Sequence, residues 1–353
     1  MDLSEILTEL KKQKDDGKKI VGIFAHQMIP EELIHASGAI PLRLGFWGSE
    51  EICMKGTDYL SAATCPLARS TVGLFEEKNE FYSLIDVFIG GNYCNGDVCA
   101  SEYISKYFDV PLIHFPIPWM NNSSSIHYYQ SIISNLKKSL EKIFELKIAD
   151  EQILNSIDLY NRIRKNFQEI TVKIGMGSQF QILLNNLYLL GPDLFTQNVK
   201  MEENNVEKKL NHTAIAFTGS YVSINDLILE TIENCGLDIR YNDSESIFYF
   251  DELLPSGEPL ATLAQYYLQN NYSSRMLETQ QRIDRIISKV KSLGLNGTIL
   301  HVLKFCDPYI ATRNEIKDSL DEHGYAVLEI ERDYDQSIEQ LKTRIEAFRE
   351  MIE

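Results

Sequence analysis

Residues 19–44 read KIVGIFAHQMIPEELIHASGAIPLRL, and this stretch decides the fold. Two short apolar runs, 19–24 and 40–44, flank a segment with helical spacing. Pro30 lies at an early helical position, and Gly38 suits the left-handed end of a helix. Apolar runs separated by a helix are typical of a β-α-β unit, whose parallel strands are buried on both faces. The stretch therefore predicts an α/β fold built on a parallel sheet.

The same alternation continues along the chain. Residues 84–90 and 110–115 are further predicted strands, and from about 123 to 190 apolar residues recur at three- and four-residue steps, which indicates helices. The charged, Asn-rich stretch 201–212 is a predicted linker. Four more strands are predicted after it, at 213–218, 237–241, 298–303 and 325–330.

This pattern predicts three segments: an N-terminal α/β domain (1–122), a helical middle segment (123–208) and a C-terminal α/β domain (209–353). A chain of 353 residues, of which 44% are hydrophobic, can bury the cores of two such domains. The formal charge of -17 disfavours nucleic acid and anionic membrane as partners. Residues 1–19 lack the apolar core of a signal peptide, and no apolar run is long enough to span a bilayer, so we expect a cytoplasmic protein.

In a reducing cytoplasm the six cysteines are expected to be thiols, core residues or metal ligands. Cys94 and Cys306 each follow a predicted strand by three or four residues. Ligands of open α/β sheets bind beyond the carboxyl ends of the strands, so we expect these two cysteines to face each other across a cleft. Cys65 precedes Pro66 in a proline-started helix, whose N-terminal dipole is expected to lower the pKa of the thiol and to favour an anionic cluster.

Cys65, Cys94 and Cys306 are therefore candidate ligands of an iron–sulfur cluster, which proteins hold mainly through cysteine. Their spacing alone does not establish this, because they form no tight Cys-x-x-Cys run. Cys235 is interpreted as a packing residue before Gly236. Cys53 and Cys99 are left open as core residues or additional ligands.

Other residues give weaker signals. The histidines lack zinc-site spacing and are interpreted as core residues or as supports of a site, and the glycines after the strands complete neither a dinucleotide nor a P-loop motif. Ser220 and Asn225 are predicted to contact a ligand at a helix N-terminus or to cap that helix. Residues 26–30 are expected to line the cleft. The histidines and glycines concerned are His26, His35, His114, His301, Gly90, Gly91 and Gly219.

Several ordered segments carry a family resemblance, and they include the three candidate cysteines. From about residue 18 to the C-terminus the sequence resembles the 2-hydroxyacyl-CoA dehydratase D-component and the benzoyl-CoA reductase subunits. The segments are 22–43, Thr64-Cys65-Pro66 with Arg69 and Gly73, Asn92-Tyr93-Cys94-Asn95-Gly96, His301 to Tyr309, and Thr343 to Phe348.

The resemblance implies an enzyme subunit with two Rossmann- or flavodoxin-like domains and a 4Fe-4S cluster between them, held by Cys65, Cys94 and Cys306. It also implies an ATP-hydrolysing iron–sulfur activator, a second subunit that is identical or paralogous, and a CoA thioester substrate. In such dehydratases, which are lyases, one electron of very low potential produces a ketyl radical that expels the hydroxyl group. Helix dipoles at Cys65 and after Gly219 are expected to stabilise the added charge.

Three alternatives remain open within this resemblance. In the first, the chain is a homodimeric reductase with an 8Fe-9S double cubane, to which Cys53 and Cys99 add ligands. In the second, it is an electron-transfer accessory subunit without a substrate site of its own. In the third, it is a cluster-free scaffold of the same fold. Many relatives carry a further cysteine where this chain has Asn271-Tyr272-Ser273-Ser274, and that difference leaves the substrate open.

Overall fold

The computed structural model describes residues 1–46, 49–199, 212–245, 251–254, 257–334 and 338–353. It contains two four-stranded parallel sheets with helices around them. The predicted α/β class with parallel sheets is confirmed.

The first sheet has the strand order β2-β1-β3-β4, with all neighbours parallel. Its first three strands are buried along their whole length, and apart from Arg43 in the second strand their residues are apolar or glycine. The strands are β1 (Ile20–Phe24), β2 (Ile40–Leu44), β3 (Val87–Gly91) and β4 (Leu112–Phe115). The helices of this part are α1 (Leu3–Asp15), α2 (Glu31–Ala36), α3 (Glu50–Gly56), α4 (Pro66–Glu76) and α5 (Asn95–Phe108).

Three long helices follow, and the described residues between the two sheets include no strand, as predicted. They are α6 (Ser123–Ile143), α7 (Asp150–Ile174) and α8 (Ser178–Asn198). Helix α8 is kinked where Gly191 adopts a φ of 69° before Pro192. The predicted linker, 201–212, lies outside the described residues except for residue 212. The predicted boundary between the helical segment and the C-terminal domain, at 208–209, also lies outside them.

The second sheet repeats the order of the first, as β6-β5-β7-β8. Its strands are β5 (Thr213–Gly219), β6 (Leu237–Asn242), β7 (Gly297–Leu303) and β8 (Ala326–Arg332). The remaining helices are α9 (Ile228–Asn234), α10 (Pro259–Gln269), α11 (Thr279–Ser292), α12 (Asp307–Glu322) and α13 (Ile338–Ile352).

This strand order creates one switch point in each sheet, between β1 and β3 and between β5 and β7. Chain connections leave such a point in opposite directions and open a crevice at the carboxyl ends of the strands. The two halves are joined near these ends, because the Ile224 N–H donates to the Gly45 carbonyl over 2.8 Å. Arg69 Nη2 also lies 3.2 Å from Asp333 Oδ2, which links α4 to the loop after β8.

Two local predictions are wrong. Leu84 was assigned to a strand, but residues Tyr82–Leu84 form a 3-10 turn and β3 begins at Val87. A helix was expected directly after Gly219, but α9 begins only at Ile228, with Leu227 at its N-cap position. No helix dipole therefore acts at Gly219. No helix in the described ranges is both long and apolar enough to cross a bilayer.

Candidate functional site

Each of the three candidate cysteines is the N-cap of a helix. Cys65 precedes α4, Cys94 precedes α5, and Cys306 precedes α12. An N-cap side chain points toward the free N–H groups of the first turn. A backbone N–H of the first turn, that of Ala68, Asp97 or Tyr309, acts on each sulfur and lowers its pKa.

The three thiols lie near one another. Burial raises the pKa of Cys65 to about 12, and the neighbouring Cys306 contributes to the rise. Burial also raises the pKa of Cys94, and electrostatic repulsion from Asp97 and Cys65 raises it further. The first-turn N–H of Ala68 lowers the pKa of Cys65, as expected at a helix end, but loss of water around the sulfur outweighs this effect and the net pKa is raised.

The buried guanidinium of Arg275 acts against these rises. It lowers the pKa of Cys65, Cys94 and Cys306, although burial outweighs it at each thiol. Arg275 is ion-paired with Glu245 and lies 5.7 Å from the centre of the Tyr93 ring. The site thus places the positive charge of Arg275 beside three sulfurs, together with the carboxylates of Asp97 and Glu245, which raise the pKa of the thiols. Sequence reasoning missed Arg275, although it directly follows the segment that departs from the family.

Ser220 supports Cys306 from the end of β5. Its hydroxyl accepts a hydrogen bond from Leu303 N over 3.0 Å, and a hydrogen bond from Ser220 lowers the pKa of Cys306 against the larger effect of burial. Ser220 was expected at a helix N-terminus, but it acts instead through this hydroxyl at the strand end. Asn225 does not cap α9 either, because Leu227 occupies the N-cap position.

His301 lies behind Ser220 in the second sheet. Arg332 Nε donates to His301 Nε2 over 2.9 Å, and His301 Nδ1 lies 3.3 Å from the Ser220 carbonyl oxygen. Nε2 is therefore the acceptor and Nδ1 carries the hydrogen. Burial and Arg332 lower the pKa of His301, which keeps the ring neutral. Its predicted role as a support of the site agrees with this geometry.

His26 lies in the loop after β1, in the first half of the chain. Its Nε2 lies 2.9 Å from Asp97 Oδ2, and Gln27 donates to the same oxygen over 3.2 Å. Burial opposes ionisation of Asp97, but His26, Arg275 and Gln27 outweigh it and the pKa of Asp97 is lowered. His26 Nδ1 is buried and has no hydrogen-bond partner among the described residues.

The remaining cysteines lie apart from this group. Cys53 is buried in α3 with its sulfur 2.9 Å from Ser70 Oγ, and Cys99 is exposed on α5. Cys235 is buried in the core of the second sheet, in agreement with its predicted packing role.

Two other histidines lie away from the cysteines. His35 lies between Ser156 and Asp193 and joins α2 to α7 and α8. His114 was predicted to be a core or supporting residue, but it is exposed on β4.

A cavity of about 680 Å³ takes walls from both halves of the chain, and none of the three candidate cysteines lines it. His26 and Met28 line it from the loop after β1, as predicted for residues 26–30. Asp243 lines it from the end of β6, and Tyr309 from the first turn of α12. Two of its lining residues are connected to the helices that carry candidate ligands, since His26 contacts Asp97 of α5 and Tyr309 follows Cys306 by three residues.

The donor set fits an iron–sulfur cluster better than a single ion. In the described part of the chain, no three His, Cys, Asp or Glu side chains come close enough to hold one metal ion. A four-iron cluster is larger and holds its cysteines further apart. Three thiols at helix N-termini are the soft ligands that such a group prefers, and Arg275 supplies one positive charge beside the carboxylates of Asp97 and Glu245.

The chain matches, over residues 27–352, the family described as 2-hydroxyglutaryl-CoA dehydratase, D-component. It belongs to this family, and the predicted resemblance is confirmed. The prediction of an enzyme subunit of the 2-hydroxyacyl-CoA dehydratase type is confirmed with it.

Characterised relatives cover nearly the whole chain. The chain is 25% identical to the beta subunit of (R)-phenyllactyl-CoA dehydratase of Clostridium sporogenes, over 97% of this chain and 94% of the relative. It is 26% identical to the beta subunit of lactoyl-CoA dehydratase of Anaerotignum propionicum, over 99% of this chain and 97% of the relative. It is 23% identical to one of the subunits of benzoyl-CoA reductase of Thauera aromatica, over 88% and 85%.

Proposed function

We propose that this chain is the iron–sulfur subunit of a 2-hydroxyacyl-CoA dehydratase and that Cys65, Cys94 and Cys306 hold a 4Fe-4S cluster. The observation that carries the proposal is the grouping of three N-cap thiols, of which Cys94 and Cys306 follow the switch-point strands β3 and β7 and Cys65 lies close enough to interact electrostatically with both. When bound, the cluster supplies one electron of low potential to a CoA thioester. An ATP-hydrolysing iron–sulfur activator delivers that electron, and the thioester loses its hydroxyl group.

The protein's own residues supply the surroundings for this chemistry. Arg275 offsets negative charge at the thiolates, and the Ser220 hydroxyl donates toward Cys306. Charge and hydrogen bonds to sulfur are the means by which a protein adjusts the potential of a cluster. Cys306 and Tyr309 are buried, whereas Cys65 and Cys94 are partly exposed.

A second subunit is part of this proposal, because two of the relatives are named as beta subunits of their enzymes. The partner is a paralogous chain or a second copy of this one. An electron-transfer role without substrate is the alternative, and the cavity of about 680 Å³ between the two halves is the candidate space for a substrate in the first role. For an 8Fe-9S double cubane, the exposed Cys99 and the Cys53 thiol beside Ser70 are poorly placed ligands.

The proposal is tested by turnover in a reconstituted system. The protein is purified without oxygen together with its partner, and mixed with activator, ATP, a reductant and the CoA thioesters that its relatives act on. We expect ATP-dependent formation of an enoyl-CoA product, detected by mass spectrometry, that is lost in Cys306→Ala and kept in Cys235→Ala. Turnover that persists without ATP, or in Cys306→Ala, contradicts the proposal.

A further inference from the structure

Arg69 joins the turn before one candidate ligand to the other half of the chain. It is the fourth residue of α4, the helix that Cys65 precedes. Its Nε donates to the Thr64 carbonyl oxygen over 2.9 Å, and its Nη2 donates to Asp333 Oδ2 over 3.2 Å. The Arg69 side chain is only 8% exposed, so these two contacts replace most of the water that a guanidinium would otherwise bind.

Asp333 is fixed on the other side of this ion pair. It directly follows β8, and its Oδ1 accepts a hydrogen bond from the Tyr334 N–H over 2.9 Å. The carbonyl oxygen of the preceding residue, Arg332, accepts from the Lys304 N–H over 2.8 Å. Lys304 lies two residues before Cys306. The loop that presents Asp333 is therefore tied to the loop that presents Cys306.

One series of contacts thus connects Cys65 with Cys306 through Arg69 and Asp333. The two thiols are close, because Cys306 adds to the rise in the pKa of Cys65 that burial causes. Burial also raises the pKa of Tyr334, and Cys65 contributes to that rise, which places this loop of the second half near Cys65. Since the two thiols come from different halves of the chain, their separation depends on how the halves are held together.

The ion pair lies at the edge of the junction between the halves. A crevice of about 220 Å³ takes walls from both halves there, and Arg69, Lys304, Phe305 and Asp333 line it. The Asp333 side chain is 21% exposed to this side. Phe305 directly precedes Cys306. Loss of the ion pair would therefore open the junction next to the loop that carries this thiol.

We propose that Arg69 and Asp333 are positioning residues that fix the separation of Cys65 and Cys306. The guanidinium orients the turn that leads into α4, and the carboxylate ties that turn to the second half. Neither side chain is a proposed ligand. The inference rests on the proposed function for the use of the two thiols, but the contact itself can be tested in the metal-free chain.

The first test follows alkylation of each cysteine in the metal-free protein by iodoacetamide at pH 8, with mass spectrometry. Asp333→Ala removes one side of the ion pair. We expect Cys65 and Cys306 to react about tenfold faster than in wild type, the effect of one charged hydrogen bond lost from a largely buried group. Cys235 lies in the core of the second sheet and should keep its wild-type rate.

Two further variants assign the change to this ion pair. Arg69→Lys keeps the charge but loses the planar fork that reaches both partners, so it should accelerate the same two thiols. Glu329→Ala is the matched control, because Glu329 and Arg313 are 3.1 Å apart and each 26% exposed, but both belong to the second half. Glu329→Ala should leave Cys65 and Cys306 at their wild-type rates.

The second test measures iron loss to a chelator from protein that was purified without oxygen together with its partner. We expect Asp333→Ala and Arg69→Lys to lose iron about tenfold faster than wild type, and Glu329→Ala to match wild type.

Three results overturn the inference. One is unchanged alkylation of Cys65 and Cys306 in both Asp333→Ala and Arg69→Lys. Another is an equal acceleration at Cys235, which indicates general unfolding, and the third is unchanged iron loss from both variants. A wild-type protein without iron contradicts the proposed function instead, and the alkylation rates alone then decide whether the ion pair fixes the two thiols.

Discussion

Nε2 of His26 lies 2.9 Å from Oδ2 of Asp97, and both side chains are buried. The contact joins the loop after β1 to the third residue of α5, the helix that Cys94 caps. Seventy-one residues separate the two in the sequence. The same pair thus fixes one wall of the cavity and the first turn of a helix that carries a candidate ligand.

Asp97→Asn is expected to destabilise the protein by about 3 kcal/mol, because it removes one charge from a buried pair. Urea denaturation at pH 7 measures this. Asp109→Asn is the matched control, because Asp109 ends the same helix at a φ of 55°, which asparagine adopts readily. Equal stability of Asp97→Asn and wild type contradicts the account of this pair.

The pair also predicts a pH dependence. The pKa of Asp97 is lowered in the folded protein, so its contribution to stability is present above its unfolded pKa, about 4. The contribution is lost as the pH falls through the lower folded value. We therefore expect the stability difference between wild type and Asp97→Asn to shrink below about pH 4. A stability difference between wild type and Asp97→Asn that grows as the pH falls contradicts this prediction.

Gly219→Ala is expected to destabilise the protein by about 3 kcal/mol or more, since it adds both overpacking and backbone strain. Gly219 has a φ of +132°, and an added Cβ lies 1.9 Å from the backbone oxygen of His301. Gly324→Ala separates the two effects, because Gly324 has a φ of +78° and no atom within 4 Å of an added Cβ. It should cost only about 1 kcal/mol. Similar melting temperatures for the two variants count against close packing at Gly219.

The thiols of the metal-free protein are expected to resist alkylation at pH 8. The pKa of Cys65 is raised to about 12, so it remains a neutral and unreactive thiol at that pH. Mass spectrometry after iodoacetamide treatment should find Cys99, which is exposed, modified first. Urea-treated protein is the control, in which all six cysteines react. Modification of Cys65 as fast as Cys99 is inconsistent with a buried thiol.

Arg43 is expected to position the loop that contains His26. Its Nη1 donates to the carbonyl oxygens of Ala25 and Gln27 over 2.7 and 2.9 Å, and its Nε donates to Glu31 over 2.7 Å. Lysine keeps the charge but cannot make this fork of hydrogen bonds. Arg43→Lys should therefore cost about 2–3 kcal/mol in urea denaturation. The exposed Arg344→Lys serves as control, and an equal effect of both contradicts the positioning role.

Local patterns in the sequence predicted the parts of the structure that local chemistry determines. Apolar runs marked the buried strands, and Pro66 marked the helix that Cys65 caps. The same reasoning placed Leu84 in a strand, because an apolar run does not distinguish a buried turn from a buried strand. It also placed His114 near the core, although the outer strand β4 leaves that side chain in solvent.

The rest of the candidate site depends on long-range contacts. The charge of Arg275 near Cys94 and Cys306 follows from packing of segments far apart in the chain. Asp243 and Tyr309 are brought to one cavity only by the second sheet. No local pattern distinguishes these residues from ordinary surface or core positions.

The central claim is that Cys65, Cys94 and Cys306 hold one 4Fe-4S cluster, and iron and sulfide analysis with EPR tests it most directly. Wild type is compared, without oxygen, with alanine variants of each cysteine and with Cys235→Ala as the control. The account predicts about four irons per chain, lost in each of the three variants and kept in Cys235→Ala. Absence of iron after anaerobic reconstitution, or about eight irons per chain, contradicts it.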